Sequence, residues 1–192
     1  MNFQKEKNQF LRKKDKSIKG KIDNKIKRLV NKINSLDDFF TTSSCSGRIV
    51  LLIPNKTKHN TKWLFSSHDK VDFKKIENQK ILDKLPKNDV RFLMEPAILH
   101  IACKNIEAAK KLLNIARDIG FRRSGIISIG KNRIVLELIS TERIDTIISK
   151  NGKLLIDENY FEVLVNEGNK KLEKTWGKIN KLYKAIDKIE NQ

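Results

Sequence analysis

The chain has 192 residues, of which 39% are hydrophobic and 33% charged, which is the composition of a folded domain and not of a disordered tail. No apolar run approaches the roughly 18 residues of a membrane-spanning helix, and the charged N-terminus lacks the apolar core of a signal peptide. Cys45 and Cys103 match neither a zinc motif nor a disulfide framework. We therefore expect a cytoplasmic protein without a membrane span or a bound metal.

Positive charge is the strongest departure from average composition. The 41 Lys and Arg exceed the 23 Asp and Glu by 18, and residues 1–34 alone carry twelve basic against three acidic side chains. Lysines that only solvate a surface would be spread evenly, so this concentration favours a surface that contacts nucleic-acid phosphates. An acidic lipid or an acidic protein is the other kind of partner that such a face could meet.

The first half of the chain predicts a basic helix followed by a β-hairpin. Apolar residues at steps of three and four predict a helix over about 15–36 with lysines on its opposite face. Residues 43–53 are rich in β-branched side chains and predict a strand, which pairs with a second strand over 63–68. Helical spacing returns over 72–85.

The second half alternates extended and helical segments. Residues 90–103 predict an extended region in which Pro96 marks a bulge or an edge. A helix over 106–119 follows, capped by Asn105 and ended by Gly120. Strands over 125–129 and 133–139 and C-terminal helices over about 158–190 complete the chain. The prediction is a single α+β domain over 1–192, with a largely antiparallel sheet packed against helices.

Hydroxyl groups and a guanidinium lie close together in the predicted strand 43–53. Strand alternation puts Ser44, Ser46 and Arg48 on one face, and Ser43 with Cys45 on the other. The first face could hold a carboxylate or a phosphate, because arginine offers a planar fork of donors and each hydroxyl adds one more. The alternative is a solvated edge strand.

The three histidines differ in their surroundings. His59 lies in a lysine-rich loop and is expected to be solvated, whereas His68 ends a strand and His100 interrupts an apolar strand. Either of the last two could transfer a proton near neutral pH. The alternative for His100 is a hydrogen-bonded residue of the core.

Several familiar nucleotide and hydrolase motifs are missing from the sequence. Neither G-x-G-x-x-G nor G-x-x-x-x-G-K-[ST] occurs, so Rossmann and P-loop binding are not indicated, and no carboxylate cluster suits a magnesium-dependent nuclease. The residues alone predict a basic domain with one polar pocket and no particular reaction. That pocket combines Ser44, Ser46, Arg48, His68, Glu95 and His100.

Four motifs in register carry a resemblance to a known family. They are S-S-C-S-G-R-I at 43–49, S-H at 67–68, E-P-x-x-L-H at 95–100 and G-F-R-x-S-G-I at 120–126, with K-G-x-I-D at 19–23 upstream. Together they resemble the tRNA wybutosine-synthesising protein 3 family over about residues 15–180. Residues 1–14 and 185–192 lie outside the resemblance, and we expect them to fray.

The resemblance implies a non-Rossmann methyltransferase. It implies transfer of a methyl group from S-adenosylmethionine to the N4 nitrogen of a tricyclic guanosine derivative beside the anticodon of tRNA-Phe. A base must then remove the proton of that nitrogen, and Asp23, His68 and His100 are the candidates.

The remaining predicted site residues bind ligands. Ser44, Ser46 and Arg48, together with Glu95, are predicted to hold the cofactor's carboxylate or the anionic tail of the modified base. Ser124 and Gly125 are predicted to bind a phosphate or the cofactor, unless they form an ordinary turn between helix and strand. Six cations are predicted to contact the tRNA backbone: Lys19, Lys21, Lys25, Arg28, Arg122 and Arg123. A basic RNA-binding module without catalysis is the alternative function.

Overall fold

The computed structural model describes residues 2–12, 22–55, 61–77, 82 and 85–190. Its contacts divide the chain into two compact units. Unit 1 comprises Met1–Ser46, Ala97–Thr141 and Thr175–Gln192, and unit 2 comprises Gly47–Pro96 and Glu142–Lys174. The single-domain organisation over 1–192 stays a prediction.

The elements in chain order are helices and antiparallel strands. The helices are α1 (Phe3–Leu11), α2 (Asn24–Ser35), α3 (Phe73–Glu77), α4 (Ile106–Ile119), α5 (Glu158–Ala185) and α6 (Asp187–Glu190). The strands are β1 (Phe39–Cys45), β2 (Arg48–Ile53), β3 (Lys62–Ser67), β4 (Val90–Glu95), β5 (Ile98–Cys103), β6 (Gly125–Ile129), β7 (Ile134–Ile139), β8 (Ile144–Lys150) and β9 (Lys153–Leu154). The predicted α+β class without a Rossmann fold is confirmed.

Unit 1 contains a sheet with strand order β1-β5-β7-β6 in which neighbouring strands are antiparallel. Alternate residues of its central strands, such as Leu99 and Leu136, are fully buried against α2, α4 and the end of α5. Burying one face in this way fixes the register, because a shift by one residue would turn every apolar side chain to the other face. The helices therefore determine which side chains the opposite face presents.

Helix α1 packs on that opposite face at one end of the sheet. The rings of Phe3 and Phe10 each lie 5.4 Å from the ring of Phe40, measured between centroids. Lys7 is buried and donates to the carbonyl of Leu36 at the end of α2. Burial lowers the pKa of Lys7, although nearby carboxylates oppose that shift. The expectation that residues 1–14 fray is therefore wrong for 3–11, since aromatic packing holds this helix.

Unit 2 contains a second sheet with strand order β3-β2-β4-β8-β9, again antiparallel between neighbours. The first part of α5 covers it through Phe161, whose ring lies edge-on to those of Phe73 and Phe92. A Cβ added at Gly168 would stand 3.1 Å from the Ile49 side chain, so glycine lets this helix approach β2 closely. The predicted hairpin is present as the β2–β3 pair.

Two predicted strands are divided in the structure. The segment 43–53 breaks at Gly47, whose φ of 91° favours glycine, and the segment 90–103 breaks at Pro96 and Ala97. In each case the two halves enter different sheets. The prediction of one continuous strand over 43–53 is therefore wrong, and alternation within one strand does not relate Ser46 and Arg48. No prediction covered β8 or β9.

The predicted helix over 106–119 is confirmed with both of its caps. The Asn105 side chain accepts from the Ala108 N–H at 2.9 Å, and Gly120 ends the helix with a φ of 112°. The predicted helix over about 15–36 is confirmed as α2 from residue 24 onward, and residues 13–21 lie outside the described residues. The predicted C-terminal helices are confirmed as α5 and α6.

We expect Gly120→Ala to destabilise the protein by about 1–2 kcal/mol, because alanine is strained at a positive φ. The added Cβ would also lie 2.9 Å from the Lys178 side chain. Gly177→Ala in α5 is the matched control: its Cβ would meet nothing within 4 Å, and alanine favours the helix by about 0.5–1 kcal/mol. Urea unfolding would measure the free energy of unfolding of each variant, and equal destabilisation by the two changes would contradict this account.

The two cysteines should differ in reactivity in the folded protein. Burial raises the pKa of the Cys103 thiol to about 12, so the reactive thiolate is scarce at pH 8, whereas Cys45 is half-buried. A thiol reagent should label Cys45 in the native protein and both cysteines in denaturant, as mass spectrometry would show. Cys45→Ser is the control and should take no label while folded. Rapid native labelling of that variant would contradict the burial of Cys103.

Candidate active site

A row of polar side chains crosses the sheet of unit 1 at one level. The register places Ser43 of β1 opposite His100 of β5, His100 opposite Glu137 of β7, and Glu137 opposite Gly125 of β6. These residues share the sheet face that the core helices leave uncovered, because Leu99 and Leu136 alternate to the other side. The fold therefore brings a hydroxyl, an imidazole and a carboxylate together.

Hydrogen bonds link the row. The Ser43 hydroxyl lies 2.8 Å from His100 Nδ1, and His100 Nε2 lies 2.9 Å from Glu137 Oε2. Ser43 is exposed, and the side chains of His100 and Glu137 are 31% and 29% exposed. A serine hydroxyl, a histidine and a carboxylate in series can accept and hold a proton.

Ser43 and Glu137 were not among the residues predicted from the sequence. Strand alternation predicts that Ser43 and Ser44 face opposite sides of the sheet, and in the structure Ser43 is the one that faces His100. Ser44 pairs with Leu99 on the core side. Side chains alternate between the two faces of β1, so pairing of β1 with the strand that carries His100 could have suggested Ser43. Glu137 could be found only from the register of β5 against β7.

Asp23 and Ser46 contact each other elsewhere in unit 1. Asp23 is the residue before the first turn of α2, and its Oδ2 accepts from the Ser46 peptide N–H at 3.1 Å and from the Ser46 hydroxyl at 3.3 Å. Ser46 is fully buried. This contact joins the start of α2 to the end of β1, so both side chains have a structural task.

Arg48 and Glu95 form an ion pair in unit 2. They are cross-strand partners on β2 and β4, with side chains 23% and 32% exposed. The guanidinium carbon of Arg48 also lies 4.2 Å from the centre of the Trp63 ring, which is a cation–π contact. The indole ring and the carboxylate together fix the direction of the guanidinium.

His68 directly follows β3 and is half-buried. Residues around it line a surface pocket of about 460 Å³ that includes Ser66, Asp69 and Lys70. The Ser67 hydroxyl donates to the Asp69 carbonyl at 2.9 Å and accepts from the Asp69 N–H at 3.1 Å, which orders this turn. The chain neighbours of His68 on both sides therefore line this pocket.

Ser124 and Gly125 lie where the chain enters β6. Ser124 is buried, its hydroxyl accepts from the Ile139 N–H at 3.0 Å, and its carbonyl accepts from Arg117 at 2.8 Å. A Cβ added at Gly125 would meet nothing within 4 Å. Ser124 thus supports the start of the strand, whereas Gly125 leaves open space at the end of the polar row.

The predicted tRNA-contacting cations fall into different environments. Lys19 and Lys21 lie outside the described residues. Lys25 Nζ stands 4.6 Å from the centre of the Trp176 ring, and the Arg28 guanidinium 4.8 Å from that of Tyr183. Lys32 Nζ contacts the same tyrosine ring at 4.5 Å. The cations of α2 are therefore partly engaged with aromatic rings of α5.

Arg122 and Arg123 follow the end of α4 and are exposed. Arg122 lines a surface pocket of about 490 Å³ together with Arg117 and Asp118. Their exposed side chains are accessible to a polyanion.

Comparison with known proteins identifies the family. A sequence model of the Methyltransferase TYW3 family matches residues 5–188. A protein of Thermococcus sibiricus named tRNA(Phe) 7-((3-amino-3-carboxypropyl)-4-demethylwyosine(37)-N(4))-methyltransferase is 40% identical over 90% of this chain and 87% of its own. A Danio rerio protein named tRNA wybutosine-synthesizing protein 3 homolog is 36% identical over 96% of this chain and 74% of its own.

The fold is also that of a solved structure. The structure of the PH1069 protein from Pyrococcus horikoshii superposes with a TM-score of 0.84 at 34% identity, covering 96% of each chain. Among the described residues, no helix is long and apolar enough to cross a membrane. The resemblance drawn from the sequence motifs is confirmed: the chain belongs to the Methyltransferase TYW3 family of enzymes.

Proposed function

We propose that the protein methylates the N4 nitrogen of the tricyclic wyosine-type guanosine next to the anticodon of tRNA-Phe, with S-adenosylmethionine as methyl donor. The observation that carries the proposal is the family match over residues 5–188, together with relatives whose names state this reaction. The basic charge of the chain suits a polyanionic substrate.

The reaction needs alignment and the loss of one proton. S-adenosylmethionine, when bound, supplies an electrophilic methyl group on a sulfonium. Holding two substrates in line accounts for much of the acceleration of such a transfer, and a base adds to it by taking the proton of the acceptor nitrogen. The residues of this chain therefore have two tasks: to position the ligands and to accept that proton.

Among the candidates Asp23, His68 and His100, we take His100 as the base, because each nitrogen of its ring has a hydrogen-bond partner. Its imidazole lies between a hydroxyl and a carboxylate, and the carboxylate of Glu137 would stabilise the imidazolium formed on protonation. The Asp23 carboxylate already accepts two hydrogen bonds from the buried Ser46, which engages it in a structural contact.

The Arg48–Glu95 pair fits an α-amino acid group. Such a group carries one carboxylate and one ammonium, and the pair offers a guanidinium fork and a carboxylate side by side. Both the methyl donor and the aminocarboxypropyl tail of the modified base contain this group. The donor set at Arg48 and Glu95 therefore suits either ligand, with Trp63 keeping the guanidinium in place.

Methylation of isolated precursor tRNA tests the function. We expect the pure protein and S-adenosylmethionine to convert the tricyclic nucleoside to its methylated form, as mass spectrometry of digested tRNA would show. His100→Asn should lower turnover by about 10²–10⁴-fold, the usual contribution of a general base. Asp23→Asn and His68→Asn remove the other two candidate bases, and their turnover is compared with that of His100→Asn. Absence of methylated product with the wild-type protein would refute the proposed function. Unchanged turnover in all three variants would show that none of Asp23, His68 and His100 is the general base.

Calorimetry tests the ligand of Arg48. We expect Arg48→Ala to weaken binding of the ligand that it holds by about 10–150-fold, the loss of a charge-assisted hydrogen bond. A weaker S-adenosylmethionine affinity assigns the pair to the cofactor, whereas a raised KM for tRNA alone assigns it to the tail of the base. Arg91→Ala is the control, because Arg91 pairs with Asp145 in the same unit. No binding heat with S-adenosylmethionine in the wild type would favour the RNA-binding module without catalysis.

Salt dependence tests the tRNA surface. Affinity should fall steeply between about 50 and 200 mM salt, because each phosphate contact releases counterions. The double variant Arg122→Ala/Arg123→Ala should reduce the log–log salt slope by about 1–2, as filter binding would measure. Lys150→Ala/Lys153→Ala removes the same charge from exposed residues of unit 2 and is expected to change the slope less. Affinity insensitive to salt, or equal effects of the two variants, would contradict this surface.

A further inference from the structure

We propose that Ser43 is the catalytic residue that takes the proton from the acceptor nitrogen and passes its own proton to His100, while Glu137 acts as a positioning residue. This inference rests on the proposed methylation and adds a route for the proton. It concerns Ser43, which lies in the S-S-C-S-G-R-I motif, and Glu137, neither of which is among the site residues predicted from the sequence.

The Ser43 hydroxyl lies at the exposed end of the hydrogen-bonded row. Glu137 lies on the Nε2 side of the ring at 2.9 Å and Ser43 on the Nδ1 side at 2.8 Å, so each ring nitrogen has a protein partner. Ser43 is the exposed member of the row. A substrate atom approaching from solvent on the Nδ1 side therefore meets the hydroxyl of Ser43 first.

Hydrogen-bond chemistry fixes the direction of the relay. An ionised carboxylate can only accept, so Glu137 requires a proton on Nε2 of His100. In the neutral imidazole the other nitrogen, Nδ1, then carries the lone pair and accepts from the Ser43 hydroxyl. Glu137 thus selects the tautomer in which His100 is ready to withdraw a proton from Ser43.

The proton transfer balances without a further reactant. The acceptor nitrogen forms a bond to the methyl carbon, whose bond to sulfur breaks with the electron pair left on sulfur. The N–H proton of the acceptor moves to Ser43 Oγ as the Ser43 hydroxyl proton moves to His100 Nδ1. Ser43 ends neutral, and the positive charge rests on the imidazolium beside the Glu137 carboxylate. Release of that proton to water restores the starting state.

Space at the other end of the row is consistent with a large ligand. Gly125 stands opposite Glu137, and a Cβ added there would meet nothing within 4 Å. Ser44, by contrast, pairs with Leu99 on the core side and cannot replace Ser43 on this face. The geometry therefore assigns the relay to one serine of the S-S-C-S segment.

Steady-state kinetics with varied precursor tRNA and saturating S-adenosylmethionine test the role of Ser43. Ser43→Ala should lower kcat by about 10²-fold or more with little change in KM, since the lost group acts in the transition state. Ser43→Thr keeps the hydroxyl and should restore kcat to within a few-fold of the wild type. Ser35→Ala, an exposed serine at the end of α2, is the control for serine removal. Wild-type kcat in Ser43→Ala would overturn the role of Ser43 and leave the methylation intact.

Nitrogen NMR gives a second readout that needs no turnover. Long-range proton–nitrogen spectra of the labelled protein, with the His100 signals assigned by their loss in His100→Asn, should show protonated Nε2 and an unprotonated Nδ1 that accepts a hydrogen bond. Ser43→Ala should shift the Nδ1 signal, and Glu137→Ala should abolish the preference for this tautomer. A proton on Nδ1 of the neutral ring would overturn the relay. Failure of the wild type to methylate would overturn the proposed function and the catalytic role of Ser43 together.

Discussion

The hydrogen-bonded register of β1, β5 and β7 is the constraint on which the candidate chemistry depends. Ser43, His100 and Glu137 meet because each is the cross-strand partner of the next. The core on the other face maintains that register, since a slip by one residue would expose Leu99 and Leu136 and bury the polar row. Apolar packing on one side of the sheet thereby preserves hydrogen-bond geometry on the other side.

Breaks in two extended segments supply the strands of both sheets. The chain leaves β1 after Cys45 and enters β2 at Arg48, and it leaves β4 after Glu95 and enters β5 at Ile98. Gly47 permits a left-handed backbone at the first break, and Pro96 lacks the N–H that a continuing ladder needs at the second. The motif residues on either side of these breaks therefore belong to different sheets, even where they adjoin in sequence.

Features encoded within a few residues could be predicted, whereas features that depend on distant pairing could not. The helix over 106–119 was predicted with its ends because Asn105 and Gly120 act through local capping chemistry. His100 could be proposed as a candidate from its place in an apolar strand. Its partners lie 57 and 37 residues away along the chain, and only the strand register brings them together. The break at Gly47 was missed because β-branched residues beyond it continue the extended pattern.

The aromatic rings of α5 hold three cations of α2 in place. Lys25, Arg28 and Lys32 rest on Trp176 and Tyr183, so their stems lose conformational freedom when the protein folds and not when a ligand arrives. A rigid array of this kind presents its charges at set spacings. The cost of ordering these side chains is therefore met on folding, whereas a mobile lysine tail of equal charge would meet it on binding.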